Sequence, residues 1–301
     1  MYRAANQLSG NLRRVIMMLP EFQNHSLYLA KLRTFLETEN RMSDEGILPA
    51  PEHGDILLQD VHFTYPGNDE ATIKGVSMEI KKGEKIALVG FNGAGKSTLI
   101  KLILRLYDPE CGAIHFAGQS IKEYSIAEYR RRFGVLFQEF EIIATDMGHN
   151  LNMSDQMLDE QRAEEVLKKV AFWERFQDLT EGYETQLTRE FDDNGINLSG
   201  GEAQKIALAR VLYADAGVII LDEPSSALDP IAEYQLNKTI TELAADKTVI
   251  IISHRLSTTR FVDKIYMLEN GQIIEQGNHE SLMGQNGKYA EMFTLQAEKY
   301  R

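Results

Sequence analysis

The chain has 301 residues, 43% hydrophobic and 26% charged, which suits one large globular domain with an appendage and excludes disorder as the main state. A net charge of −13 argues against a nucleic-acid partner, because a phosphate backbone is met by clustered Lys and Arg. Cys111 is the single cysteine, which excludes an internal disulfide, and no apolar run reaches the roughly 18 residues that span a bilayer.

In chain order, residues 1 to about 39 read as a helix, with Leu29, Leu32, Phe35 and Leu36 forming an apolar stripe that needs a surface to pack on. The short Val15–Leu19 stretch within it is cut by Pro20 and makes neither a span nor a secretory signal. Residues 41–54, rich in Pro, Gly and acids, read as a linker, with a domain boundary near residue 50. Ile56–Tyr65 and Gly75–Ile80 predict strands of a small antiparallel sheet. Lys85–Val89 reads as a buried strand and Ser97–Tyr107 as a helix stopped by Pro109. Glu110 to Gly112 reads as a turn, which leaves Cys111 without a role, and Arg130–Arg132 as an exposed helix face.

From about 124 to 190 the reading is mainly helical, a separate lobe whose clearest piece is Gln161–Val170. Val218–Leu221 and Val249–Ile252 then read as buried strands around a helix opened by Asp229-Pro230, the β-α-β pattern of a parallel sheet. Lys264–Leu268 and Gln272–Glu275 predict a hairpin turning at Glu269-Asn270-Gly271, with terminal helices after it.

The chemistry starts between the strand at 85–89 and its helix, where Gly90-Phe91-Asn92-Gly93-Ala94-Gly95-Lys96-Ser97 spells Gly-x-x-x-x-Gly-Lys-Ser. By chance this pattern arises in roughly one chain of this length in a hundred. Glycines at 90, 93 and 95 let backbone N–H groups turn inward without side chains in the way, and the helix beginning at Ser97 and Thr98 adds its positive end. Lys96 reaches the β and γ phosphates, and Ser97 is placed to ligate magnesium. Val218–Leu221 ends in Asp222-Glu223, which puts a carboxylate at the sheet's edge to orient the metal and, one residue on, a base for the water that attacks the γ phosphate. Leu198-Ser199-Gly200-Gly201-Glu202 opens a helix with a capping-box pattern, and a glycine-bearing helix N-terminus is itself an anion site. In this order the segments imply binding and hydrolysis of ATP.

With these residues the chain resembles the nucleotide-binding domain of ATP-binding-cassette transporters from about residue 55 to its end, most specifically at Leu198–Gln204, which is similar to that family's signature. The resemblance implies an α/β fold: a P-loop NTPase core with a mainly parallel sheet, an antiparallel β subdomain, a helical subdomain and an N-terminal helical extension. It implies that residues 92–98 hold ATP and that Ser199, Gly200 and Gly201 hold the γ phosphate of ATP bound to a second copy. Tyr65 then resembles the aromatic that stacks on adenine, Gln138 the loop glutamine that touches magnesium and the attacking water, His254 the histidine at the γ phosphate, and Asp229 the aspartate of the dimer-contacting loop.

The segment Ser253–Thr258 and the closing Gln276–Leu282 are similar to exporters, and residues 1–50 resemble the end of a transmembrane domain, leaving 51–301 as the nucleotide-binding domain. The implied partners are a second such domain, identical or different, and the transporter's membrane domain, at the cytoplasmic face of the cell membrane. Thr188–Gly195 departs from the exporters' common Thr-x-Gly-Glu-x-Gly, and Glu202 stands where Gln is commoner, adding a negative charge near the anion site. The rival reading is a soluble ATPase of the same fold acting in DNA repair or translation, although neither a coiled-coil insertion nor a second cassette is visible. A small-molecule kinase or GTPase with the same loop has no use for the signature.

Overall fold

Strand alternation decides what each face of the central sheet covers. The structure, a computed structural model, describes residues 2–37, 42, 45–154, 156–224 and 247–298, and the chain divides into two compact units, Met1–Ser43 and Asp44–Arg301. The first unit contains helix α1 (Tyr2–Leu36), in which Leu29, Leu32, Phe35 and Leu36 are exposed. Among the described residues no helix is long and apolar enough to cross a membrane.

The second unit is built on two sheets. Strands β1 (Ile56–Phe63), β2 (Ile73–Ile80), β4 (Cys111–Phe116) and β5 (Gln119–Ser120) form the expected antiparallel sheet, in the order β2-β1-β4-β5. Strands β3 (Lys85–Val89), β6 (Phe133–Leu136), β7 (Val218–Asp222), β8 (Thr248–Ile252), β9 (Lys264–Glu269) and β10 (Gln272–Gly277) form the other, ordered β10-β9-β3-β8-β7-β6. It is parallel except for the β9–β10 hairpin, as expected.

Ile86, Leu88, Val218, Ile220, Ile250 and Ile252 point to one face of that sheet, where they pack with the antiparallel sheet and with helix α2 (Lys96–Ile103). Their neighbours Ile219, Leu221, Val249 and Ile251 point to the other face. There they meet residues of the helices α4 (Met147–Asn152), α5 (Glu160–Lys169) and α7 (Gly200–Ala214), with α6 (Trp173–Gln177) beside them. Ala87, Val89, Ile265 and Met267 share that face with Leu282 of α8 (His279–Gln285) and with Tyr289 and Met292 of α9 (Lys288–Glu298). Because both faces are covered, the centres of these strands are apolar on both sides, with polar residues such as Lys85, Asp222 and Lys264 at their ends, and each fully buried aliphatic side chain contributes about 1.5–3 kcal/mol.

The structure corrects four readings. Arg130–Arg132 is not an exposed helix face: the helix ends at Arg130, whose guanidinium donates to the carbonyls of Leu104 and Arg105, and of the three only Arg131 is exposed. The helix after the phosphate loop ends at Ile103 and not at Tyr107, because Arg105 turns to φ +51° and buries its guanidinium against the carbonyls of Ile121 and Tyr124. Cys111 opens β4 instead of sitting in a turn. Gly112 at φ +81° permits this, since a Cβ there would stand 2.2 Å from the Asp60 carbonyl oxygen.

The stretch 124–190 holds, besides α3 (Ile126–Arg130), α4, α5 and α6, strand β6 at the edge of the parallel sheet. Four residues, three of them buried and one partly buried, carry no periodic signal that distinguishes strand from helix. Part of the proline-rich stretch belongs to the second unit, where Leu48 is bonded to Glu123 and Ser125 through its N–H and carbonyl and Ala50 is buried. The helix expected at Asp229-Pro230 lies outside the described residues.

Candidate active site

The phosphate loop is held from both sides. Gly90 (φ +147°) and Gly95 (φ +101°) cannot be replaced without collision, because a Cβ would stand 2.2 Å from the Leu268 carbonyl oxygen in the first case and 2.8 Å from Ile73 Cδ1 in the second. Gly93 (φ +79°) faces open space, so its need for glycine is conformational. The β9–β10 turn, with Asn270 at φ +50° and Gly271 at φ +80°, lies against the loop. Gly271 N–H donates to the Ala94 carbonyl at 3.1 Å, and its own carbonyl accepts from Lys74 of β2 at 2.9 Å. Thus the hairpin and the antiparallel sheet brace a loop whose shape local sequence already favours.

At the start of α2, Lys96 is buried, and its Nζ donates to the carbonyls of Gly90 and Phe91 at 2.9 and 3.0 Å. Burial lowers its pKa, opposed by Asp222 and Glu223. Ser97 Oγ donates to Asp222 Oδ2 at 3.2 Å. Asp222 is buried, and burial raises its pKa against the Ser97 hydrogen bond.

The opposite wall comes from three strand ends. Adjacent strands β6, β7 and β8 run parallel, and just past their C-terminal ends stand Gln138, Glu223 and His254. Gln138 Nε2 donates to Glu223 Oε2 at 3.2 Å, and His254 Nε2 lies 2.8 Å from Glu223 Oε1. Burial, reinforced by Lys96, lowers the His254 pKa, with Glu223 opposing. A neutral imidazole therefore donates its Nε2–H to Glu223 at neutral pH, and both carboxylate oxygens are held. Glu223 itself sits at φ +51°, strained for a non-glycine residue, with its N–H bonded to the Ile252 carbonyl at 2.9 Å.

Between the two walls lies a cavity of about 630 Å³, lined by Asn92, Gly93, Ala94, Gly95, Lys96, Ser97 and Thr98 on one side and by Gln138, Glu223 and His254 on the other. The fold thus brings together expected residues that are more than 150 positions apart in sequence, from Asn92 to His254. Tyr65 stands outside that lining, its hydroxyl 3.1 Å from Thr98 Oγ1 and its ring edge-on to Phe63 and Tyr107. Ser199, Gly200 and Gly201 are also outside it, at the N-terminus of α7.

The capping box at that terminus is formed, with Ser199 N–H donating to Glu202 Oε2 at 2.8 Å and Glu202 N–H donating to Ser199 Oγ at 3.3 Å. These bonds, and Arg175 at 3.1 Å, hold the Glu202 carboxylate below its usual pKa and occupy the charge that the sequence adds beside the anion site. Asp229 lies outside the described residues.

Sequence reasoning gave no site role to Thr72 and Ile252, which also line the cavity, or to Gln204 of the signature, whose buried Nε2 donates to the Pro224 carbonyl at 2.7 Å and ties α7 to the segment after Glu223. A polar residue within the apolar pattern Ala203, Ile206, Ala207 is the one signal that marks Gln204 beforehand. Thr72 carries none.

A strand, a glycine loop and a helix facing a carboxylate pair two strands away define a P-loop ATPase. A family model described as ABC transporter matches residues 73–226, just over half of the chain, and the chain belongs to that family as its ATP-binding domain. It is 39% identical over 245 residues to the ATP-dependent lipid A-core flippase of Pseudoalteromonas translucida, covering 81% of this chain and 42% of the relative. It is 36% identical to the subtilin transport ATP-binding protein of Bacillus subtilis, covering 93% of this chain and 46% of that protein. The solved structure of a bacterial Atm1-family ABC exporter with ATP bound superposes with a TM-score of 0.82 at 31% identity, over 97% of this chain and 51% of that one. The chain therefore spans less than half the length of these curated relatives.

Proposed function

We propose that the chain is the motor of an exporter, and that two copies, or this chain and a different cassette, close around two ATP molecules. The observation that carries this reading is the grouping of Gln138, Glu223 and His254 across the cavity from the phosphate loop. In the proposed reaction Lys96 and the loop N–H groups take the β and γ phosphates; the water oxygen bonds to the γ phosphorus as Glu223 accepts its proton, the β–γ bridging P–O bond breaks, and ADP and inorganic phosphate leave. His254 and Gln138 hold the two Glu223 oxygens and so fix the direction of attack.

Magnesium fits the donors present. Ser97 Oγ, Asp222 and the Gln138 amide offer oxygen ligands, and such an ion is commonly held by one or two protein oxygens, waters and the nucleotide's phosphates. Bound there, it would neutralise charge on the β and γ oxygens. Ser199, Gly200 and Gly201, outside this cavity and at the positive end of a 15-residue helix, suit the γ phosphate of ATP on a second copy. Tyr65 is assigned to the adenine and Asp229 to the contact between copies.

Residues 1–50 are assigned to the end of a transmembrane domain, which accords with the exposed apolar residues of α1 and with relatives about twice the chain's length. On this reading the motor works at the cytoplasmic face of a membrane. The names of the relatives favour transport over a role in DNA repair or translation.

Size-exclusion chromatography of Glu223→Gln with and without ATP and magnesium, beside turnover by the unmodified chain, tests the reading. An ATP-dependent dimer with turnover abolished supports it. A Glu223→Gln protein that hydrolyses ATP at the wild-type rate overturns the assignment of Glu223.

A further inference from the structure

His254 stands on the short segment between β8 and the turn Leu256–Phe261, and the direction of its ring depends on that backbone. Within the segment, Ser253 Oγ accepts from Arg255 N–H at 3.0 Å and donates to the Arg255 carbonyl at 2.9 Å. Both bonds are internal to the segment. A tie from outside it comes from the other end of the unit. Gln296 on α9 donates from Nε2 to the His254 carbonyl at 2.6 Å and accepts at Oε1 from Leu256 N–H at 3.0 Å. One planar amide thus clamps the backbone on both sides of Arg255, a task that needs a donor and an acceptor on the same side chain.

We infer that Gln296 is a positioning residue for His254, and that the C-terminal helix thereby sets the aim of Glu223 in the hydrolysis step. The inference rests on the reading of Glu223 as the base. Geometry supplies the route: Gln296 fixes the His254 carbonyl, and His254 Nε2 in turn lies 2.8 Å from Glu223 Oε1. Displacements of an ångström at a reacting group cost up to about a hundredfold in rate, so a backbone clamp one residue-length from the imidazole has leverage on turnover.

Helix α9 does not need Gln296 to stay in place. The Tyr289 hydroxyl is 2.6 Å from Thr259 Oγ1, and Glu275 accepts from the N–H groups of Lys288 and Tyr289 at 2.7 and 3.1 Å. Tyr289 and Met292 are buried beside Leu256. Removing the Gln296 amide should therefore loosen the histidine's backbone without releasing the helix.

The test uses the full 301-residue chain. Gln296→Ala and Gln296→Glu are compared with wild type and with Leu295→Ala, a control at an exposed neighbour on the same helix. ATP turnover, KM and thermal midpoint are measured for each. Gln296→Glu keeps the size and the acceptor for Leu256 N–H but faces the His254 carbonyl with a carboxylate oxygen. A role in packing leaves this variant near wild type, whereas a positioning role does not.

The expected result is that both Gln296 variants lose kcat roughly tenfold, with KM within about twofold and the thermal midpoint close to wild type, while Leu295→Ala keeps its kcat. Wild-type kcat in either Gln296 variant, a rise in KM at unchanged kcat, or an equal loss in Leu295→Ala overturns the inference and leaves the ATPase reading standing. A wild-type chain with no ATP turnover overturns that reading and this one with it.

Discussion

The two walls of the cavity are made in different ways. The phosphate wall, Gly90 to Thr98, is one contiguous stretch whose shape follows from three glycines, a strand before it and a helix after it. The hydrolysing wall is assembled from Gln138, Glu223 and His254, each just past the end of a different strand, and exists only because β6, β7 and β8 lie side by side. A wall made locally is suited to holding a ligand in any fold that supplies the strand and helix. A wall made of strand ends is sensitive to small shifts between strands, and this is where aim, and hence turnover, is decided.

The comparison predicts that substitutions divide by wall. Glu223→Gln should show the largest effect, a loss of kcat of roughly 10²–10⁴-fold with ATP affinity retained, read from turnover beside nucleotide-binding titration. Lys96→Ala should do the reverse at first order, weakening ATP binding roughly 10- to 100-fold through loss of its charge-assisted bonds to phosphate. If Glu223→Gln lost binding as severely as Lys96→Ala, the division of labour between the walls would fail.

Gly90→Ala tests the contiguous wall through stability. The added Cβ meets the Leu268 carbonyl at 2.2 Å and the residue keeps φ +147°, so the chain should lose about 2–4 kcal/mol in denaturant unfolding. Gly93→Ala, with open space around it, should lose less.

The smallest effect sharpens the comparison by pH. Since burial holds the His254 pKa below its ordinary 6.5, the imidazole stays neutral as the pH falls to that value. The acid limb of kcat should therefore lie below pH 6.5 and be absent from ATP binding by the other wall. In stability the sign follows from the same lowering. The unfolded chain takes up the proton first, so the His254 contribution is undiminished above pH 6.5 and folding weakens as pH drops below it. His254→Gln should flatten that acid loss in thermal unfolding followed from pH 8 to about pH 5.

What was legible in the sequence follows the same line. The hairpin at Asn270-Gly271 is recoverable because two positive-φ positions between strands demand those residue types, and the Ser199–Glu202 box because its bonds close within four residues. β6 was not legible, because a strand of four residues has no period of its own and is defined by pairing with β7. Nor was the early end of α2, which Arg105 decides by turning its side chain to carbonyls 16 and 19 positions ahead. Residues 188–195, which depart from the common exporter pattern, hold a local loop in which Arg189 Nε bonds the Gly195 carbonyl at 2.7 Å.

By itself the sequence determined the phosphate loop, the buried strands, the capped helix N-terminus at Ser199 and the identity of the residues able to act on a phosphoanhydride, because each is written in backbone preferences and hydrogen bonds that span a few residues. Only the tertiary structure decided that Gln138 and His254 both reach Glu223, that Gln204 ties α7 to Pro224, and that Gln296 holds the backbone beneath His254. Those contacts join positions 20 to 85 apart in the chain, and they form only once parallel strands have paired and both faces of the sheet are covered.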